Sequence, residues 1–151
     1  MIDGYIAGPY TSSNEETVKY RVRQTSKYAA HLASQGFAVY SPVLTWHYIV
    51  KDWRLPTDAV YWEYSNSQFL RSAKEIWVLT LEGWQQSIGT IRELIIANHM
   101  RIPVKFVDAK SPIAYELQML DCLQTRGNYD EFCGYTSLIK RLAEAEECHN
   151  D

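Results

Sequence analysis

Cysteine is scarce in this sequence, and the few cysteines follow no pairing pattern. Cys122, Cys133 and Cys148 include no CxxC pair and leave one residue over if the other two are bonded. Such a set is typical of reduced thiols and argues against a disulfide framework. The histidines of the candidate helices and of the tail also lack partners at metal-ligand spacing. We therefore predict no metal and no other cofactor.

The sequence also lacks long apolar runs and any excess of positive charge. No stretch approaches the ~18 consecutive apolar residues of a membrane span, and the amino terminus has no basic flank ahead of an apolar core. The formal net charge is -3, and the longest basic cluster is the short segment from Lys19 to Arg23. These absences predict a cytoplasmic protein with neither a membrane nor a polynucleotide as its partner.

What the sequence does have is the length and composition of one globular domain. Its 151 residues, 46% of them hydrophobic and 22% charged, can bury a core without a second domain. No repeat or low-complexity linker divides the chain. We expect a single domain over residues 1–151, with a core at 1–108 and a carboxyl-terminal helical extension at 109–151.

Short apolar segments alternate with helical patterns along the first 108 residues. Strands are predicted for IDGYIAG, FAVYSP, EIWVLTL and IPVKFVD, and helices for residues 12–36, 57–72 and 87–101. Residues 43–57 have no clear period, which predicts an active-site loop or a loop that covers the core. Because parallel neighbours need long crossovers, the alternation predicts an α/β fold: a Rossmann-like parallel sheet of four or five strands flanked by helices, with extra carboxyl-terminal helices.

The loops that follow the strands are the candidate site, since ligands of such sheets bind beyond the carboxyl ends of the strands. After the first strand, AGPYTSS offers a glycine, hydroxyls and free helix amides that suit a phosphate or a sugar, although Gly-Pro also simply turns a chain. The sequence has neither GxGxxG nor GK[ST]. The sequence therefore contains no motif that predicts NAD binding or NTP hydrolysis.

The segment SIGTIRE, at the start of a predicted helix, is a stronger candidate for an anion site. Ser87 can cap the helix, and Gly89 allows a ligand to approach the backbone amides closely. Glu93 lies on the second turn, where we expect the positive helix end to favour its ionised form and so a nucleophilic carboxylate. The alternative for Glu93 is a surface carboxylate paired with Arg92 or Lys105, or one that aids the helix start.

These motifs occur in a recognisable order. The chain has YIAGPYTS, then YRVR, SP with a histidine five residues later, a tryptophan in the following helix, VL before GW, and S-x-G-x-x-x-E followed by A and PV. Over residues 1 to about 108 this order closely resembles the nucleoside 2-deoxyribosyltransferase-like superfamily. Within it, the pattern is most similar to a group of phage and bacterial proteins of unassigned function, related to the 2'-deoxynucleoside 5'-monophosphate N-glycosidases.

The resemblance implies an N-glycosidase, either a hydrolase or a transferase, that acts on a nucleoside or a nucleoside 5'-monophosphate. Glu93 would attack the anomeric carbon and form a covalent glycosyl ester, which fits the need of an oxocarbenium-like transition state for a nearby carboxylate. Ser87 and Gly89 would contact the 5'-phosphate or the sugar. The resemblance also implies that no cofactor takes part and that the protein is a homodimer, because a neighbouring subunit often completes the site in relatives.

Further substrate contacts implied by the resemblance come from the first loop and the first helix. Gly8, Pro9 and Tyr10 would border the base or the sugar. Arg21 and Arg23 would lie near phosphate, and the alternative for each is a solvated charge on the helix surface.

Two positions depart from the pattern of the superfamily. Relatives commonly carry one Asp in the helix before the third strand and another just ahead of that strand, and these fall here on Asn66 and Lys74. Asn66 can hydrogen-bond a base but cannot give it a proton, a task worth about 10²–10⁴-fold in rate. Glu63 or Asp58 could supply the acid instead. His47 is a further candidate because its unperturbed pKa lies near neutrality, and its alternative is a loop histidine bonded to backbone.

The aromatic residues and the missing acids leave the function open between two classes. Four tryptophans near the proposed cleft could stack on a nucleobase or simply pack the core: Trp46, Trp53, Trp62 and Trp84. The missing acids favour a nucleotide-binding or sensing protein with weak turnover, whereas the retained Glu93 favours the enzyme. A purely structural role predicts no ligand, and the convergence of three polar loops argues against it.

Overall fold

The computed structural model describes residues 1–108, which form a four-stranded parallel sheet with helices on both faces. The strands are β1 (Ile2–Ala7), β2 (Val39–Tyr40), β3 (Ala73–Leu79) and β4 (Val104–Val107). The helices are α1 (Glu15–Ser34), α2 (Pro42–Trp53), α3 (Ala59–Arg71) and α4 (Ile88–His99), with a short 3-10 helix at Trp84–Gln86. The predicted α/β fold with a Rossmann-like sheet is confirmed. The extension predicted at 109–151 lies outside the described residues.

The two central strands, β1 and β3, lie where the order of strand addition changes from one side of the sheet to the other. The order is β2-β1-β3-β4, and all neighbours are parallel, with Tyr5 of β1 opposite Tyr40 on one side and Ile76 on the other. The chain runs outward from β1 to β2 and then returns past β1 to β3. A cleft therefore opens beyond the carboxyl ends of β1 and β3, at the point where sheets of this kind bind ligands.

Alternate residues of the central strands pack on opposite faces, so both faces of the sheet are buried. One cluster joins the strands to α3 and α4, and it includes Tyr5, Ile76, Val78, Leu70, Leu94 and Ala97. The other joins the strands to α1, and it includes Ile6, Trp77, Leu79, Tyr28 and Leu32. This two-sided packing holds the carboxyl ends of β1 and β3 as a rigid edge under the cleft.

The loop predicted over residues 43–57 is wrong for most of its length, because residues 42–53 form the helix α2. Ser41 caps this helix by accepting a hydrogen bond from the backbone N–H of Leu44 (3.4 Å), and Pro42 fills the first turn. Arg54 ends the helix in the left-handed conformation, with φ 52°. Four residues at helical spacing face the cleft: Val43, Trp46, His47 and Val50.

Residues 1–108 contain neither a candidate membrane-spanning helix nor a candidate metal site. No helix within residues 1–108 has both the length and the apolar character that crossing a bilayer demands. Within the same residues, no three His, Cys, Asp or Glu side chains are grouped so that they could hold a metal ion.

Candidate active site

A cavity of about 650 Å³ lies beyond the carboxyl ends of the central strands. This volume is within the range of small-molecule sites. The cavity brings together most of the residues proposed from the sequence: Gly8, Tyr10, Arg21, His47, Asn66, Ser87, Gly89 and Glu93. Pro9 is fully buried and does not line it, and Arg23 is exposed on α1 and does not line it either. Sequence segments up to 85 positions apart therefore meet in one place.

Glu93 is a buried acid on the second turn of α4. Its side chain is 9% exposed, and its Oε1 accepts a 2.7 Å hydrogen bond from the hydroxyl of Tyr5, which lies in the middle of β1 and is fully buried. The alternative of a surface carboxylate paired with Arg92 or Lys105 is wrong. Those two cations pair with other carboxylates, Glu63 and Glu75 respectively.

Burial decides the protonation of Glu93. The loss of solvent raises the pKa of the carboxyl to about 8, and the hydrogen bond from Tyr5, which lowers the pKa, offsets only part of this effect. The ionised form expected from the helix end is therefore the minor form at neutral pH. The field of a helix end falls off within the first turn, and Glu93 lies beyond that turn.

The amino end of α4 faces the same cavity as Glu93. The Ser87 hydroxyl caps the helix, accepting from the backbone N–H of Thr90 at 3.4 Å and from its hydroxyl at 3.1 Å. Among residues 1–108, a Cβ added at Gly89 would meet only the Cβ of Ala59, at 3.9 Å, so the space beside the first-turn amides is open. A helix leaves its first amides without intrahelical acceptors, and these amides together with the positive end of the helix suit this position to a phosphate or another anion.

Arg21 joins the two loops that border the cavity. Its Nη1 donates to the carbonyl oxygen of Thr11 (2.6 Å), in the loop after β1, and its Nη2 donates to the carbonyl oxygen of Glu82 (3.0 Å), in the loop after β3. Gly83 lies directly beside it, since an added Cβ would stand 2.7 Å from Nη2. Arg21 thus lines the cavity as expected, but its guanidinium binds backbone carbonyls, a role that the sequence did not suggest.

His47 and Tyr10 form a polar pair on the α2 side of the cavity. The Tyr10 hydroxyl lies 3.0 Å from Nδ1 of His47, and the two rings meet edge to face at 5.8 Å. Burial lowers the pKa of His47, Lys51 lowers it further, and Asp52 opposes both. Burial also raises the pKa of Tyr10. At neutral pH the pair is therefore a neutral imidazole beside a protonated phenol.

Asn66 is held by donors from two elements. Its Oδ1 accepts from the indole Nε1 of Trp46 at 2.9 Å and from the hydroxyl of Tyr40 at 3.3 Å. Trp46 stacks on Trp62 with ring centroids 4.6 Å apart, and both rings line the cavity. The other two tryptophans singled out in the sequence lie elsewhere: Trp53 is 77% exposed, and Trp84 packs against Phe106.

The other positions considered for a general acid are 58, 63 and 74, and only Asp58 lines the cavity. Lys74 pairs with Asp3 at 2.6 Å near the amino end of β3, at the opposite end of the strand from the cavity. An acid at position 74 could not reach a ligand in the cavity. Glu63 pairs with Arg92 between α3 and α4 and does not line the cavity. Asp58 caps α3 and does line it.

Tyr5 is the contact of Glu93 that sequence reasoning missed. It lies within an apolar strand and packs in the core, and in the sequence only its hydroxyl indicates that it could contact a polar group. The helical spacing of Val43, Trp46, His47 and Val50 is the signal that could have located the α2 wall.

Comparisons with known proteins add one family relationship. No curated protein matches the chain. A family model described as a domain of unknown function, DUF1937, matches residues 3–109. This range includes every residue that lines the cavity and all four strands except Ile2, the first residue of β1. The chain therefore belongs to the DUF1937 family.

Proposed function

We propose that this protein is an N-glycosidase that cleaves the bond between sugar and base in a nucleoside or a nucleoside 5'-monophosphate. The observation that carries the proposal is the position of Glu93, a buried carboxyl that lines a cavity of about 650 Å³ into which the amino end of its own helix opens. A phosphate or sugar hydroxyl held at Ser87 and Gly89 would leave the anomeric carbon on the side of this acid.

The reaction proceeds in two displacements at the anomeric carbon. The ionised carboxylate of Glu93 first forms a C–O bond to that carbon, while the C–N bond breaks and its electron pair leaves with the base. Water or a second base then bonds to the same carbon, the ester C–O bond breaks, and its electron pair returns to Glu93. The proton that the attacking water or base loses passes to solvent. The hydroxyl of Tyr5 holds Oε1 throughout and favours the ionised form that attacks.

The departing base needs a proton, and Asn66 cannot supply one. Within residues 1–108, the titratable side chains that line the cavity besides Glu93 are Tyr10, Arg21, His47 and Asp58. We assign His47 the role of donating a hydrogen bond to the departing base, because the imidazole of a neutral histidine carries an N–H on one ring nitrogen while Tyr10 holds the other. The base leaves as an anion that this bond stabilises, and it takes its proton from water. Asp58 is already committed to capping α3.

A nucleotide-binding protein with little turnover is the second candidate function. Two points favour it: Glu93 is mainly neutral at neutral pH, and an amide stands at position 66, where the superfamily that the sequence resembles commonly carries an acid. The binding elements at the amino end of α4 would serve this function equally well.

Base release from a panel of substrates distinguishes the two functions. The wild type, Glu93→Gln and a control, Glu15→Gln on the exposed start of α1, are each incubated with ribo- and deoxyribonucleosides and their 5'-monophosphates. Free base is followed by chromatography. If the protein is an N-glycosidase, we expect the wild type and the control to release free base and Glu93→Gln to release none. If none of the three proteins releases base and one of the nucleotides stabilises the wild type in a thermal-shift assay, the protein binds nucleotides without cleaving them.

A further inference from the structure

The amide of Asn66 has one orientation, because its neighbours fix it. The indole Nε1 of Trp46, 2.9 Å from Oδ1, can donate a hydrogen bond but cannot accept one, so the amide oxygen must face it. The hydroxyl of Tyr40 lies 3.3 Å from the same oxygen. These two donors use both lone pairs of Oδ1.

The two donors are themselves held in place by their surroundings. Trp46 stacks on Trp62, and the Nε1 of Trp62 donates to the carbonyl oxygen of Pro56 at 2.7 Å. The ring of Tyr40 stacks on Phe69 with centroids 4.0 Å apart and planes 6° from parallel. Rotating the amide of Asn66 by half a turn would place its N–H groups against the indole donor, so the orientation is stable.

The free hydrogen-bonding group of Asn66 is consequently a donor. Its Nδ2 has no hydrogen-bond partner within the described residues, and Asn66 lines the cavity together with Glu93. An asparagine usually reads adenine by accepting from the amino group and donating to the ring nitrogen. That pairing requires a free Oδ1, which Trp46 and Tyr40 deny here.

We propose that Asn66 selects a base that presents an oxo group, as hypoxanthine and uracil do, over one that presents an amino group at the same ring position, as adenine and cytosine do. The inference rests on the proposed function, because it assigns the base that occupies the cavity beside Glu93. An oxo oxygen accepts the Nδ2–H bond. An amino group at that place meets donor with donor and leaves both without a partner.

Calorimetric binding of matched nucleotides tests this proposal independently of turnover. The full-length Glu93→Gln protein is titrated with two pairs of 2'-deoxynucleoside 5'-monophosphates, one carrying hypoxanthine and adenine, the other uracil and cytosine. We expect the oxo member of at least one pair to bind about tenfold more tightly or better, the effect of one misplaced hydrogen bond. Equal binding within both pairs, tighter binding of the amino members, or no binding of any of the four would overturn the proposal.

Two substitutions in the same background separate the role of Asn66 from simple packing. Asn66→Asp keeps the shape and the two bonds from Trp46 and Tyr40 but presents an acceptor to the cavity, so the preference is expected to reverse towards the amino bases. Trp46→Phe keeps an aromatic ring and removes the indole donor, which frees the amide to turn, so the preference is expected to shrink. An unchanged preference in a folded variant of either kind contradicts the mechanism.

The outcomes distinguish this inference from the proposed function. A clear oxo preference in binding, without base release by the wild type, would retain the selection by Asn66 and remove the enzyme. Base release with no preference in binding would retain the enzyme and remove the selection.

Discussion

The hydroxyl of Tyr5 donates a 2.7 Å hydrogen bond to Glu93, a residue 88 positions further along the chain. The bond joins the central strand β1 to the second turn of α4, and both side chains are buried. Burial raises the pKa of Glu93 and the bond from Tyr5 lowers it, with burial the larger effect. The charge on Glu93 thus couples the stability of the protein, and with it the proposed activity, to pH.

The rate of base release is expected to rise with pH through the pKa of Glu93. Because that pKa is about 8, the ionised, nucleophilic form of Glu93 increases up to this pH and levels off above it. Initial rates at low substrate concentration, which report kcat/KM, measure this directly over a series of buffers of equal ionic strength. A profile that only falls between about pH 6 and about pH 8 would show that the neutral acid is the active form.

Glu93→Gln is expected to gain stability relative to the wild type as the pH increases. The pKa of Glu93 in the folded protein is about 8, above its ordinary value of 4.5. Below pH 4.5 the acid is neutral in both the folded and the unfolded protein, and its burial does not reduce stability through charge. As the pH rises from 4.5 towards 8, the unfolded protein gains the charge first, so the free energy of unfolding of the wild type falls. The glutamine does not titrate. Above pH 8 the relative gain is on the order of a few kcal/mol in the free energy of unfolding.

Denaturant unfolding of both proteins at an acidic and an alkaline pH measures this gain. Glu15→Gln, on the exposed start of α1, is the matched control, and its difference from the wild type should change little with pH. A Glu93→Gln difference that is the same at both pH values would mean that Glu93 has an ordinary pKa in the folded protein.

Tyr5→Phe is expected to shift the rising limb of the pH profile to higher pH. The substitution removes the hydrogen bond that lowers the pKa of Glu93 and leaves burial unopposed. It also costs about 1–3 kcal/mol of stability, because a buried acceptor loses its partner. Tyr28→Phe, equally buried on the other face of the sheet, is the control, since its hydroxyl is remote from the cavity. A profile unchanged in Tyr5→Phe would contradict the role given to this bond.

Alanine at Gly89 is expected to impair binding without harming the fold. The added Cβ would make only an ordinary contact with Ala59, at 3.9 Å, but it would cover the helix amides assigned to the phosphate or sugar. KM is therefore expected to rise while the melting temperature stays level or increases slightly. If KM and melting temperature are both unchanged, the anion is bound elsewhere.

Gly83→Ala provides the opposite case on the neighbouring loop. Gly83 has φ 87°, and an added Cβ would lie 2.7 Å from Nη2 of Arg21. We expect a loss of stability of about 1–3 kcal/mol, from backbone strain and from displacement of the Arg21 bonds. Thermal unfolding of the two alanine variants side by side measures the contrast, and equal melting temperatures would contradict it.

Local patterns in the sequence predict most of the fold. The apolar strands and the helix period of α1, α3 and α4 are visible because each of these helices turns an apolar stripe to the sheet. The helix α2 was missed because Trp46 and His47, two of the residues on its inner face, point to a cavity rather than to the core. The Ser41-Pro42 pair at its start is a cap signal that the sequence does contain.

The sequence predicts most of the residues that line the cavity, but not the protonation of Glu93 or the hydrogen-bond partners of Arg21. Glu93, Ser87 and Gly89 are neighbours on one helix, so their convergence follows from local structure. Burial of Glu93, and with it the raised pKa, depends on strands distant in sequence. The partners of Arg21 are backbone carbonyls, which no side-chain motif records. The homodimer, the cytoplasmic location and the extension at 109–151 stay predictions.

The mass of the protein during turnover shows whether Glu93 forms a covalent bond to the sugar. The substrate identified by base release is mixed with wild-type protein, the reaction is quenched in acid while turnover continues, and the intact protein and its peptides are weighed. We expect a mass increase of one glycosyl group on the peptide that contains Glu93, and no increase in Glu93→Gln. Base release that proceeds equally well in Glu93→Gln, with no adduct on the wild type, would contradict it.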